Sequence, residues 1–480
     1  MMQADRTLQG RAIGLALLAI ANALLLVWGS ESSATDSAAR QLIAVLLANA
    51  LGAIALLWIG LDQQFDQTPG WFTFGVALLL RLIATQASPL LEDDHYRYLW
   101  DGFRTATAFD PYRLPPSAFF GDEHLSQRWQ DILSGINNPD ITTIYGPVLQ
   151  GVFALAYWVS PGRLGAIQGL LLIIDLAVLC LLTRLGTNPR SLLIYAVHPL
   201  ILKEAMASAH PDGLLALFLL LALFAWQQRR PFSMGILVAL AIATKVAALV
   251  VVPLLLLNPS AQRSALAWAT RLGLGGLLTL VALYLPFWFN GGTDASALAT
   301  FGSQWRFNPL LYRVLEEMLR EVPIPSGARL AAACLLALGV GMVTWQWGRK
   351  LAGQRGVNAP AQSTPALASP LCLPPLAVPL ALLILLAPVV NPWYWMWALA
   401  LSLRTGPYWV AAAGAASVLS YLNSTVLSEA SLLSPAALMT PYAVTMPIAL
   451  LQLSAFGVSW LVIRWIGRVR AQTSVMPVLQ

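Results

Sequence analysis

Nine of the 22 acidic residues in this 480-residue chain fall between positions 91 and 140. The stretch opens Glu92-Asp93-Asp94-His95-Tyr96-Arg97-Tyr98-Leu99-Trp100-Asp101-Gly102. Three consecutive carboxylates repel one another and resist dehydration, so a fold that sets them at the mouth of an apolar helix uses at least one chemically. A carboxylate crowded by like charge holds its proton more tightly, which suits a general base working near neutral pH. Capping a helix N-terminus accounts for one of these acids but not for three. Arg97 and Asp101 stand at i,i+4 spacing and can equally form a structural helix pair.

Further polar groups follow. Asp110-Pro111-Tyr112-Arg113, Asn137-Asn138-Pro139-Asp140 and Tyr145-Gly146-Pro147 combine rigid prolines with directional hydrogen-bonding side chains, a composition suited to holding a polar ligand beside a membrane. Lys203-Glu204, His210-Pro211-Asp212 and Lys245 interrupt apolar runs, where a charge needs a partner, a route to the interface or a function. His198, before Pro199, reads as a satisfied helix end, whereas Asp175 can be a buried hydrogen bonder. Asn391-Pro392-Trp393-Tyr394 is either an interfacial aromatic belt or a platform for a sugar or lipid chain. Beyond Glu321 the only acid is Glu429, which places the base in the first two-thirds of the chain.

The elements that must position these groups are membrane helices. A chain that is 58% hydrophobic and 10% charged, with mean hydropathy +0.68, cannot hide its apolar surface inside a soluble globule. Apolar runs recur from end to end without the alternation of a membrane β-barrel, which predicts an all-α polytopic protein with roughly 11 to 13 spans. The run from Ala12 to Trp28 resembles a signal sequence but lacks a convincing cleavage site, and reads as a retained first helix. A large polar loop occupies 89–143 and a second one 290–325. Arg229, Arg230, Arg263, Arg349, Lys350, Arg355, Arg404, Arg464, Arg468 and Arg470 mark the cytoplasmic side, which turns both loops outward from the plasma membrane. If 144–160 and 164–184 both cross, Arg184 and Arg190 land outside, so one of the two is expected to be re-entrant or interfacial. The Ala/Pro/Ser/Gln-rich stretch 353–370 reads as a cytoplasmic linker between an N-terminal module, 1–352, and C-terminal helices, 371–480. The net charge of +6 sits in short connections and signals orientation and lipid headgroups rather than nucleic acid. Cys180, Cys334 and Cys372 stand singly, at neither metal nor disulfide spacing.

The pattern Asp93-Asp94-His95-Tyr96-Arg97-Tyr98-Leu99-Trp100-Asp101-Gly102 after an early helix, then Asp110-Pro111-Tyr112 and Tyr145-Gly146-Pro147, resembles the multispanning GT-C glycosyltransferases that use polyprenyl-phosphate sugars. Among them it resembles especially the bacterial polyprenol-linked mannosyltransferase-like proteins, with distant similarity to the eukaryotic enzyme that adds the first mannose of GPI anchors. The likeness is good over 85–150 and patchy but colinear to about residue 400, through His198-Pro199, Ala209-His210-Pro211-Asp212, Thr244-Lys245, Trp305-Arg306-Phe307-Asn308 and Asn391-Pro392-Trp393-Tyr394. Two places depart from the family: its usual Gly-His-x-Asp is Ala209-His210-Pro211-Asp212 here, and its frequent His-Pro-Trp-Tyr begins with Asn391.

The resemblance implies a GT-C-like bundle with a catalytic first outer loop and transfer of a hexose, mannose foremost, from a polyprenyl-phosphate donor to a lipid-linked or glycan acceptor, with inversion. That reaction needs a base at the attacking hydroxyl and cations at the departing phosphate. Asp93 is the expected base with Asp94 close behind. Arg97, Lys203, His210, Lys245 and Arg306 are candidates for the phosphate, and Glu92, Tyr96, Asp101, Tyr112, Tyr145, Glu204, Asp212, Trp393 and Tyr394 for the remaining contacts. No cofactor or metal is called for, because the donor arrives activated and no Gly-rich phosphate loop is visible. The competing readings are a lipid-linked glycan polymerase or ligase, and a flippase of polyprenol-linked sugars. A carrier would show repeat symmetry and midplane charges, and no internal repeat is found.

Overall fold

The computed structural model describes residues 2–31, 37–258, 264–321, 324, 326–357, 372–432 and 443–473. Arg263, most of the expected linker, and the side chains of Arg355, Arg464, Arg468 and Arg470 lie outside the described residues. Among those described, the chain is helical throughout, with two isolated β-bridges and no strand. It is an all-α polytopic membrane protein.

The chain begins with α1 (Met2–Ser30), α2 (Ser37–Leu61) and α3 (Gly70–Ala84), continues through the loop helices α4 (Asp94–Thr107) and α5 (Gln127–Ser134), and returns to the bundle with α6 (Pro147–Val159) and α7 (Leu164–Arg184). After α8 (Pro189–Val197), a π-helical turn over Ile201–Ala207 leads to α9 (Gly213–Gln227) and α10 (Pro231–Thr244). Among the described residues, five helices are long and apolar enough to cross a bilayer: Gln9–Ser30, Ala38–Leu61, Leu164–Arg184, Ala265–Phe289 and Gly327–Gly353. Eight more are apolar but only 10–17 residues long. At about 1.5 Å per residue each of these falls short of the roughly 30 Å hydrocarbon layer.

Helix α1 shows how such a sequence packs. Leu15, Ala19, Asn22, Ala23 and Leu26 are buried, while Ile13, Leu17 and Leu24 are more than half exposed. Both faces are apolar because lipid is as apolar as the core, so side-chain size rather than polarity decides which face turns inward. Small residues set the closest crossing. A Cβ on Gly235 of α10 would stand 2.0 Å from the Leu272 carbonyl oxygen, and one on Gly275 2.2 Å from that of Phe232, so only glycine lets α10 and Ala265–Phe289 touch backbone to backbone.

The two ends of the bundle are marked by different contacts. Leu90 packs against Gly29 near the end of α1, whereas Arg11, most of a helix length away, pairs with Asp62 after α2. At that far end Arg190 pairs with Asp66, and Arg404 donates to the Leu185 carbonyl at 2.6 Å. Helix α6 begins and ends on the near side. Tyr145 before it and Gly162 after it line the same cleft, and it is 13 residues long. Helix α7 then runs from Leu164 at the cleft to Arg184 at the far end.

Candidate active site

The residues before and within the start of α4 open onto a cleft of about 1020 Å³ whose walls come from the whole length of the chain. Glu92, Asp93, Asp94 and Tyr96 form one wall, Asn137 and Tyr145 join it from the end of the loop, and Lys245, Arg306, Trp393, Tyr394, Tyr421 and Glu429 complete the enclosure. Asp93 occupies the N-cap position of α4, yet its side chain makes no capping bond; its Oδ1 accepts from the Asn137 amide at 2.5 Å. Asp94 is held by more donors: Asn137 at 3.1 Å, and the Tyr98 and Tyr145 hydroxyls at 3.4 Å each. Burial first and the neighbouring Asp94 second push the Asp93 carboxyl up to about 6. Burial also raises the Glu92 carboxyl well above its ordinary value, against the opposing pull of Lys203.

Behind this wall lies a second layer. The π-helical turn, with the Ser208 N–H reaching back to the Lys203 carbonyl and the His210 N–H to that of Glu204, tucks both charged side chains out of solvent. Lys203 lies 3.1 Å from Glu204 and 4.0 Å from Glu92, and is hydrogen-bonded to the Tyr421 hydroxyl, which donates to Glu204 at 3.0 Å. The His210 ring stacks on Trp393 at 3.6 Å between centroids, and its Nδ1 meets the Tyr98 hydroxyl at 2.8 Å. His198 is bonded to the Ala411 carbonyl at 2.9 Å, the satisfied helix end expected of it.

Lys245 reaches the cleft because the helix carrying it is broken there. Its extended backbone, φ −147° and ψ 132°, separates α10 from a 3-10 turn over Val246–Val251. Irregular backbone at membrane depth is tolerated where it lines a cavity. The ammonium bonds Asp212 at 2.8 Å and sits 5.0 Å from the Tyr394 ring and 5.5 Å from that of Trp397, which itself donates to Asp212 at 2.6 Å. Lys245 is thus a caged cation with one side open to the cleft. Arg306 is half exposed and stands 2.6 Å from Glu316.

Three candidates are tied into the loop. Arg97 lines the cleft, pairs with Asp101 at 3.1 Å and donates to the Ile141 carbonyl at 2.7 Å. Asp101 is buried and also accepts from Gln150 at 3.2 Å, while Tyr112 donates to the Tyr145 carbonyl at 2.8 Å; neither lines the cleft. Trp393 and Tyr394 are buried cleft walls, not an exposed belt. Among the described residues, no group of three His, Cys, Asp or Glu stands in an arrangement that could hold a metal.

The sequence reading left Asn137 among the loop polars and passed over Tyr421 and Glu429. Tyr421 carries no signal in an apolar run. Glu429 had one, as the lone acid of its region. Gly135 is a further dependency: a Cβ there would lie 2.6 Å from the Tyr96 ring. Gly135→Ala is therefore expected to cost about 1–3 kcal/mol by overpacking. Thermal unfolding in detergent checks this, and an unchanged midpoint would show that Tyr96 yields freely.

A family model described as alpha-(1->6)-mannopyranosyltransferase, N-terminal domain, matches residues 9–260. The alpha-(1->6)-mannopyranosyltransferase A of Mycobacterium tuberculosis (strain ATCC 25618 / H37Rv) is 27% identical over 393 residues, covering 75% of this chain and 71% of that protein. The matched domain contains the acidic wall, the buried Lys203–Glu204 layer and Lys245, whereas Arg306, Trp393, Tyr394, Tyr421 and Glu429 lie beyond it. With the acid-lined cleft, the membrane bundle and these matches taken together, the chain belongs to the MptA_B family of mannosyltransferases.

Proposed function

We propose that this mannosyltransferase takes mannose from a polyprenyl-phosphate carrier and places it, with inversion and in α-(1→6) linkage, on a lipid-linked or glycan acceptor. We further propose that it has the GT-C architecture and works at the outer face of the plasma membrane. The observation that carries the reading is that a carboxylate free of any capping duty, Asp93, faces a cleft whose other walls hold Lys245 and Arg306. In this reading Asp93 takes the proton of the acceptor hydroxyl as its oxygen bonds the anomeric carbon. The carbon–oxygen bond to the phosphate breaks on the opposite face, and Lys245 and Arg306 stabilise the departing lipid phosphate. Displacement from the face opposite the leaving group inverts the anomeric centre. Trp393 and Tyr394 offer flat surfaces to a sugar ring. The donor carries its own leaving group, so the step calls on no cofactor or metal. The outward orientation rests on the positive-inside rule applied to the short connections that carry Arg229, Arg230, Arg349, Lys350 and Arg404.

The test is to incubate the purified protein with a panel of polyprenyl-phosphate sugars and a mannoside acceptor. Loss of sugar from the mannose donor, with an α-(1→6) product, is expected; no turnover of any donor would overturn the reading. Lys245→Gln keeps a hydrogen-bond donor for Asp212 but removes the charge. It is expected to raise the donor KM about 10- to 100-fold, the worth of a charge-assisted contact. An unchanged donor KM would remove Lys245 from the phosphate site.

A further inference from the structure

The two carboxylates at the head of α4 share a single neighbour. The Asn137 amide nitrogen has two N–H groups, and it lies 2.5 Å from Asp93 Oδ1 and 3.1 Å from Asp94 Oδ1. Its orientation is set from behind, because Asn138 donates to Asn137 Oδ1 at 3.4 Å and turns the nitrogen toward the acids. The backbone on either side is anchored. Ile136 is buried in a cluster with Trp100, Ile132 and Leu133, the Pro139 carbonyl accepts from Ser117 at 2.9 Å, and the Ile141 carbonyl accepts from Arg97. The Arg97–Asp101 pair is therefore a strut for the segment that carries Asn137.

We propose that Asn137 is a positioning residue that bridges Asp93 and Asp94, fixing their separation and holding Asp93 ready to accept a proton. The inference rests on the reading of Asp93 as general base. Two adjacent carboxylates facing one cleft would otherwise rotate apart or share a proton between them, and either arrangement removes the acceptor that the hydroxyl needs. A neutral amide with one N–H for each acid prevents both without adding a charge that would bind the donor phosphate in the wrong place. The charged and titratable groups around Asp93 are Glu92, Asp94, His95, Tyr96 and Arg97 from its own segment, Glu429 and Tyr421 from the C-terminal part, and Tyr145, Lys245, Arg306 and Tyr394 elsewhere in the cleft. Among the described residues it is the Asn137 amide that donates a side-chain hydrogen bond to Asp93.

The experiment is the pH profile of kcat/KM for transfer from polyprenyl-phosphate mannose by the full-length protein, compared for wild type, Asn137→Ala and Asn137→Ser. The ionised base is the active form, and the amide bond favours ionisation, so activity rises through an acidic limb and loss of the amide moves that limb to higher pH. A displacement of about half to one pH unit is expected for Asn137→Ala, with kcat at neutral pH down about tenfold or more. Asn137→Ser, which can retain one donor, should fall between. If Asn137→Ala does not fold, the displaced limb of Asn137→Ser alone supports the proposal. A uniform loss of activity with the limb unmoved in a folded variant overturns it. Failure of the underlying reading looks different: wild type then shows no turnover, or its acidic limb persists in Asp93→Asn.

Discussion

Asp93→Asn is expected to lower mannosyl transfer about 10²- to 10⁴-fold, the span that removal of a general base covers, while donor binding survives. Asparagine is nearly isosteric with aspartate, and Asp93 supports no structural bond beyond its contact with Asn137, so the fold has no reason to fail. What is lost is the acceptor for the hydroxyl proton. The measurement pairs turnover of polyprenyl-phosphate mannose with equilibrium binding of the same donor. Unimpaired turnover would remove Asp93 from the base role, and loss of donor binding would move it to donor recognition. Asp94, held by Asn137, Tyr98 and Tyr145, makes an informative contrast. In the wild type the base should titrate near 6, where burial and Asp94 place the Asp93 carboxyl. Activity should therefore fall as the pH drops below that value, when the group is protonated and can no longer accept. The same variant separates enzyme from carrier, because a flippase would keep moving lipid-linked sugar after loss of a base.

The second large effect concerns stability. Arg81→Met is expected to destabilise the protein by about 3–5 kcal/mol, because it leaves Asp175 charged and unpaired inside the bundle. Arg81 is fully buried, donates to Asp175 at 2.5 Å and to the Ala196 carbonyl at 2.5 Å, and Asp175 also accepts from Tyr195 at 2.6 Å. This network ties α3, α7 and α8 together. Removing both charges at once, Arg81→Met with Asp175→Leu, should recover most of the loss, since burying a pair costs desolvation that an apolar replacement avoids. Thermal unfolding in detergent reads both variants. A single variant that melts with the wild type would show that water or lipid headgroup reaches Asp175. Neither residue touches the cleft, so the double variant should keep its transferase activity.

Much of this protein was legible in its order of residues. The helical, membrane-embedded class follows from composition, because a chain this apolar must satisfy every backbone group within its own segments. The acid-rich opening of α4 was legible too, since like charges cluster in an apolar chain only where some other requirement holds them. The short apolar runs were harder. Length alone cannot tell a full crossing from half of a broken one, and the break at Lys245 or the return of α6 to the cleft depends on what packs alongside.

The order of residues could name six acids and five cations as candidates but could not assign most of them partners. Tertiary packing did so. Beyond the Arg97–Asp101 pair, which its i,i+4 spacing already offered, it hid Lys203 and Glu204 behind Tyr421 from more than two hundred positions later, and left Asp93 open to the cleft beside Asn137. The reason is physical. Secondary structure and membrane insertion are set by interactions within a few turns of the chain, which periodicity and composition record. Which charge is neutralised, and which stays available for chemistry, is set by contacts between segments far apart in sequence, and no local pattern carries that information.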